Sequence, residues 1–196
     1  MMKLVTILIQ LALFIFSAKV LAEEAKIILL KGEVTSSGKR LSKNDWIKEG
    51  QEVVAVGKKS FAQLKFKSGS TVLIKDGKII LKVMKSKQNL VYLIKGTLFA
   101  NKESDAKNKF NVKTKSASMA VRGTKFYLFE DAKTYLCVCS GTVAIKNKNG
   151  VLNVHKYEDI HVSKKGALKK TRAPEKMWKM AQEGFALMNI KIDNQK

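Results

Sequence analysis

The chain has 196 residues, with 38 Lys and Arg against 16 Asp and Glu, a formal charge of +22. That length fits one domain with a sizeable core and does not require two, and the charge excess attracts polyanions whatever the fold. Two cysteines and two histidines, His155 and His161, lying six residues apart, offer no ligand set of the kind a structural zinc ion needs, so neither metal nor cofactor is expected.

Met1 to Lys3 gives a short positive start, Leu4 to Phe16 is apolar apart from Thr6 and Gln10, and Val20-Leu21-Ala22 is followed by Glu23-Glu24. This order of charge, apolar stretch and small-residue cleavage site predicts a secretory signal peptide over residues 1–22. The uncharged stretch ends at Lys19, short of the roughly 20 residues a membrane-spanning helix needs, so an uncleaved anchor is the weaker reading. Cleavage removes Lys3 and Lys19 and no acidic residue, and no second apolar run of that length follows. The expectation is an exported chain, periplasmic or secreted, with no transmembrane segment after cleavage.

Residues 25–163 carry the pattern of short strands in one all-β domain. In Ser60 to Lys67, Ala62, Leu64 and Phe66 alternate with polar residues on one face, and Ser68-Gly69-Ser70 is a turn signal. Thr71 to Lys75 reads as the returning strand, and Asp76-Gly77 as a tight hairpin turn into Lys78 to Val83. A weak recurrence places Gly32, Gly96 and Gly141 after an apolar pair and a polar step, and before another apolar residue. Their unequal spacing argues against a solenoid. A glycine inside each strand pattern predicts a bulge or corner, and three corners predict an antiparallel sandwich or rolled sheet. Cys137 and Cys139 fall on one face of a strand with Cα atoms at the upper limit for bridging; they read as core side chains, with a strained disulfide or a metal pair as alternatives.

Lys164-Lys165-Gly166 and Lys169 to Arg172 predict a basic linker over residues 164–173, and Pro174 then starts a helix over 174–190. Met177, Trp178, Ala181, Phe185 and Met188 form an apolar stripe. It either packs back on the β domain or serves as a docking helix for a partner or a membrane surface, with Met177, Trp178 and Phe185 as the contacts.

The stretch from Phe110 to Leu128 resembles the FecR domain family, whose pattern runs F-x-V-x-T, then A-x-x-A-V-R-G-T-x-F. The matching residues are Phe110, Val112, Thr114, Ala117, Ala120, Val121, Arg122, Gly123, Thr124 and Phe126. Gly32-Glu33-Val34, Gly50 with Val53 and Val54, and Ser68-Gly69-Ser70 with Leu73 look like the family's earlier strands, so the resemblance spans residues 27–162. It implies an extracytoplasmic module best known from transmembrane sensors that relay an outer-membrane transport signal to a sigma factor. This chain departs from that layout: it shows no N-terminal segment to hold a sigma factor, and a cleavable signal replaces the spanning helix. The domain is therefore carried over and the regulatory role is not. Within Val121-Arg122-Gly123-Thr124, Gly123 permits a bend, and Arg122 either ties carbonyls across that corner or stands exposed as an anion or ligand contact.

An enzyme is not expected. Neither histidine neighbours a nucleophile motif, Glu158 and Asp159 point to opposite faces of a strand, and the glycines are isolated. The function expected is that of a non-catalytic binding or scaffolding module in the periplasm or envelope, or of a signalling subunit acting through a protein partner. Its positive charge is either a solvated surface or a site for an anionic envelope polymer; nucleic acid is disfavoured because export removes access and no recognition motif is visible.

Overall fold

The computed structural model describes residues 25–85, 88–103 and 108–194, without the side chains of residues 84 and 85. The predicted signal peptide lies outside the described residues. Twelve strands form one sheet: β1 (Ala25–Ser36), β2 (Lys39–Arg40), β3 (Trp46–Ile47), β4 (Glu52–Phe66), β5 (Thr71–Lys85), β6 (Gln88–Lys102), β7 (Lys109–Lys113), β8 (Ser118–Glu130), β9 (Thr134–Asn147), β10 (Gly150–His155), β11 (Glu158–Val162) and β12 (Lys170–Arg172), followed by helix α1 (Glu175–Leu187). Its order is β12-β11-β9-β8-β7-β6-β5-β4-β1-β2, with β10 beside β9 and β3 beside β1. Pairing is antiparallel except between β6 and β7. The all-β class, the rolled sheet and the C-terminal helix agree with the sequence.

The strands are longer than their local patterns suggest because several run through a glycine without stopping. At these points the buried parity switches: Val53 and Ala55 give way to Ala62, Leu64 and Phe66 in β4, Val91 and Leu93 to Leu98 and Ala100 in β6, Met119 and Val121 to Phe126 and Leu128 in β8. The register shifts at the same places. An extra residue in a strand reverses which side chains face inward. Each strand thus folds over and turns both halves toward one shared core. Gly96 and Gly141, read as corners in the sequence, are two of these positions, with φ of 92° and 76°.

Asp76-Gly77 does not make the expected hairpin turn. β5 passes straight through it, and Gly77 meets Gly96 of β6: a Cβ on Gly96 would lie 2.2 Å from the carbonyl oxygen of Asp76 and 2.4 Å from the Cα of Gly77. The same residue chemistry suits a tight turn and a bulge, since Asp76 takes a positive φ of 44° in either role. Ser68-Gly69-Ser70, by contrast, is the turn between β4 and β5, closed by the Phe66 amide donating to the Ser70 carbonyl at 2.9 Å.

The outer face of one half of the folded sheet is covered by α1. Phe61, Leu73, Phe99, Tyr127, Tyr135, Cys137 and Cys139 form a second cluster with Trp178, Ala181, Phe185 and Met188. Phe99 stacks on Tyr127 at 5.2 Å and meets Phe185 edge-on at 5.8 Å. Both cysteines are buried and unbridged, in the role of core side chains. Pro174 precedes the helix, its carbonyl accepting from the amides of Met177 and Trp178. The C-terminus closes in a Schellman arrangement: Asn189 takes φ 57°, its amide donates to Ala186, and the Ile190 amide donates to Phe185. The following tail pins the helix down, the Trp178 indole donating to the Asp193 carbonyl at 3.1 Å. Part of the predicted linker is itself strand, since β12 pairs with β11 and Thr171 donates to the buried Asp159.

Two substitutions test this packing. Gly96→Ala should cost about 2 kcal/mol or more, since it adds an unfavourable φ to a backbone collision that no rotamer can relieve. Gly184→Ala should also destabilise, although alanine favours helix, because its Cβ would lie 2.1 Å from the Phe99 ring. Denaturant unfolding checks both; a Gly184→Ala variant as stable as the parent would show that α1 sits off the sheet.

Candidate functional site

Among the described residues no helix lies over the outer face of the other half of the sheet. Cross-strand register lines up Ile80, Tyr92, Lys113, Ser118, Lys146 and Val151 in one row, and Leu90, Asn111, Ala120, Ala144 and Asn153 in the next. Residues opposite one another on neighbouring strands point to the same side. Along the first of these rows lies an open groove of about 690 Å3 whose charged lining among the described residues is Lys82, Lys113, Lys115, Lys146, Lys148 and Lys164, with no acidic residue.

Five of the six lysines are brought there by local devices. Lys113 is the last residue of β7, and Lys146 is the last but one of β9, beside the turn that carries Lys148. Lys164 arrives by side-chain tethering: Asn147 donates from Nδ2 to the Gly166 carbonyl at 2.8 Å, and Asn149 from Nδ2 to the Lys165 carbonyl at 2.8 Å. Lys115 sits in the loop between β7 and β8, which is wound around Thr114. The amides of Ser116 and Ala117 donate to Thr114 Oγ1 at 3.2 and 3.1 Å.

Beneath that loop lies a buried acid. Thr134 donates to Glu130 Oε2 at 2.5 Å, which leaves Thr114 as the donor in its 2.6 Å bond to Thr134. Glu130 is 1% exposed, and among the described residues its Oε1 has no hydrogen-bond partner. Burial raises its pKa above the ordinary value, while the Thr134 hydrogen bond and the charge of Lys115 oppose the rise. The groove loop is therefore anchored to a carboxyl group in the interior.

The residues singled out in the sequence fall in three places. Val121 belongs to the shared core and Gly123 to the corner of β8. Thr124 fastens that corner, its hydroxyl lying 2.8 Å from the Arg122 carbonyl and 3.0 Å from the Thr142 carbonyl. Arg122 ties nothing across the bend with its side chain: it is exposed, with no hydrogen bond or ion pair among the described residues, and it points to the groove's face two residues beyond Ala120. Trp178 and Phe185 are buried and Met177 is half-buried on the opposite outer face. In this arrangement the stripe is closed to a partner. His155 lies 3.0 Å from Thr142 Oγ1, and His161 sits tilted against the Tyr135 ring at 4.8 Å, apart from each other in role.

The groove as a unit was not legible in the sequence. Lys113 and Lys115 are two residues apart along the chain, but Lys82, Lys146, Lys148 and Lys164 are gathered from separate segments. The Asn147-x-Asn149 pair, one residue away from two lysines, was the signal that this turn is held in place.

Glu130 yields a pH test. A folded-state pKa raised above the unfolded value of about 4.5 means that its contribution is complete below that value and is lost as pH rises through the raised one. Glu130→Gln keeps an acceptor for Thr134 and cannot ionise, so its stability relative to the parent should grow between pH 4 and pH 7. Denaturation midpoints measured at both values decide this, equal differences showing that the carboxylate is solvated.

Comparisons place the fold. No curated protein matches the chain in sequence. Two crystal structures, at 1.65 and 2.50 Å, of a candidate anti-sigma factor from Parabacteroides distasonis ATCC 8503 superpose with a TM-score of 0.57 each, at 22% and 23% identity. In both, the match covers 67% of this chain and 64% of the other, so this chain spans under two thirds of those proteins. Residues 52–144, which include the Val121-Arg122-Gly123-Thr124 corner and most of the folded sheet, match the family described as FecR protein.

Proposed function

We propose that this chain is a non-catalytic binding module of the cell envelope, acting outside the cytoplasm in a signalling role, and that it engages an anionic partner through the lysine groove. The FecR match and the fold it shares with a candidate anti-sigma factor support a signalling-related module. Export rests on the N-terminal pattern; among the described residues no helix is long and apolar enough to cross a membrane.

The observation that carries the reading is the groove's one-signed lining, six lysines without a carboxylate among the described residues. Like charges held together in a concave surface repel one another, an arrangement relieved by an anion and by little else. A protein partner reached through α1 is the second reading, but it would require Trp178 and Phe185 to leave the core, and burying a phenylalanine is worth roughly 1.5–3 kcal/mol.

Inorganic polyphosphate, titrated against residues 23–196 over a salt series, tests the proposal. Binding should weaken steadily with salt, and Lys113→Glu with Lys146→Glu should lower affinity at least about tenfold, with the fold checked by circular dichroism. Unchanged affinity in the double variant would remove the groove from the function.

A further inference from the structure

The groove does not end at its lysines. Directly beside it is a furrow of about 330 Å3 that shares Leu90, Lys113, Ser118 and Lys146 with it and continues over Ala120, Ala144 and Val151. Ala120 and Ala144 face each other across β8 and β9, and two such short side chains leave the floor low between the taller residues on either side. Val151 is 62% exposed on β10, the most exposed of the large apolar side chains among the described residues. β10 pairs with β9 alone, and a residue on its outward face could carry a polar group there at no cost to the core. An apolar furrow merging into a lysine-lined groove on an uncovered sheet face is therefore a two-part surface, and a soluble polyanion would use only one part.

We infer that the anionic partner is a lipid, with this sheet face lying on a membrane surface: the lysines take the phosphate of an anionic headgroup, and the Ala120–Ala144–Val151 furrow takes the first methylenes below it. This rests on the groove reading above and names its ligand class. The charge complementarity is that of basic segments at anionic membranes, where each Lys or Arg near the surface contributes roughly fivefold in affinity. Arg122, exposed on the same face, adds a further cation beside the furrow. The apolar part supplies what electrostatics alone does not, namely binding that outlasts the screening of charges by salt.

The test uses residues 23–196, which hold every described element and omit the apolar Leu4–Phe16 stretch that would itself enter a bilayer. Co-sedimentation is measured with vesicles of equal parts phosphatidylglycerol and phosphatidylcholine, with vesicles of phosphatidylcholine alone, and with inorganic polyphosphate in competition. The expected result is capture by the anionic vesicles only, part of which survives salt that abolishes polyphosphate binding. Val151→Asn, neutral and exposed, should weaken vesicle capture several-fold and leave polyphosphate affinity unchanged. No capture by anionic vesicles, or capture that Val151→Asn does not alter, overturns the lipid assignment and leaves an anionic polymer as the occupant. Loss of neither vesicle nor polyphosphate binding in the Lys113→Glu, Lys146→Glu variant would instead overturn the groove reading itself.

Discussion

The close crossing of backbones at paired glycines governs this structure. Gly77 and Gly96 on β5 and β6, and Gly123 and Gly141 on β8 and β9, approach until a Cβ on Gly96 or Gly141 would collide with main-chain atoms of the neighbouring strand. Main chain cannot move aside as a long side chain can, so these contacts admit only glycine at the fold line. Bending there lets strands of up to 15 residues serve two layers without a loop between them. The extra residue at each bend also reverses the inward parity, and a single apolar core can form between the halves.

Folding the sheet over creates two outer faces, and their composition divides their roles. On one, the strands are apolar on both sides, as in Tyr135-Leu136-Cys137-Val138-Cys139, because both faces are covered. Helix α1 closes that side, and the small Gly184 lets it approach Phe99. On the other face apolar residues alternate with lysine, serine and alanine, and no described element covers it. The helix is thus a third layer of the domain, while the uncovered face is where the molecule has chemistry to offer.

Buried polar groups join the layers. Asp159 takes hydrogen bonds from Tyr135 at 2.9 Å and from Thr171, holding the last strand and the entry to the helix. Glu130 performs the matching task at the groove, through Thr134 and Thr114. Thr114 and Thr124 both belong to the family pattern, and both use a hydroxyl to fix backbone at the ends of β8's first half. Val121-Arg122-Gly123-Thr124 is in this light a corner with one outward cation, its stability residing in Thr124 and Gly123 and its exposed charge in Arg122.

Local residue chemistry sufficed for the β class, the glycine corners, the Ser68-Gly69-Ser70 turn and the amphipathic helix, because each depends on periodicity or on φ within a few residues. The FecR resemblance was legible for the same reason, its core being a contiguous run. Asp76-Gly77 shows the limit: a positive φ next to glycine suits a hairpin and a bulge alike, and only Gly96, 19 residues away, selects the bulge by its close approach. The fate of the Trp178 and Phe185 stripe, the freedom of the Arg122 side chain and the gathering of six lysines were decided in the same way. They depend on which surfaces meet after the sheet folds over, a long-range steric fact that no local pattern along the chain contains.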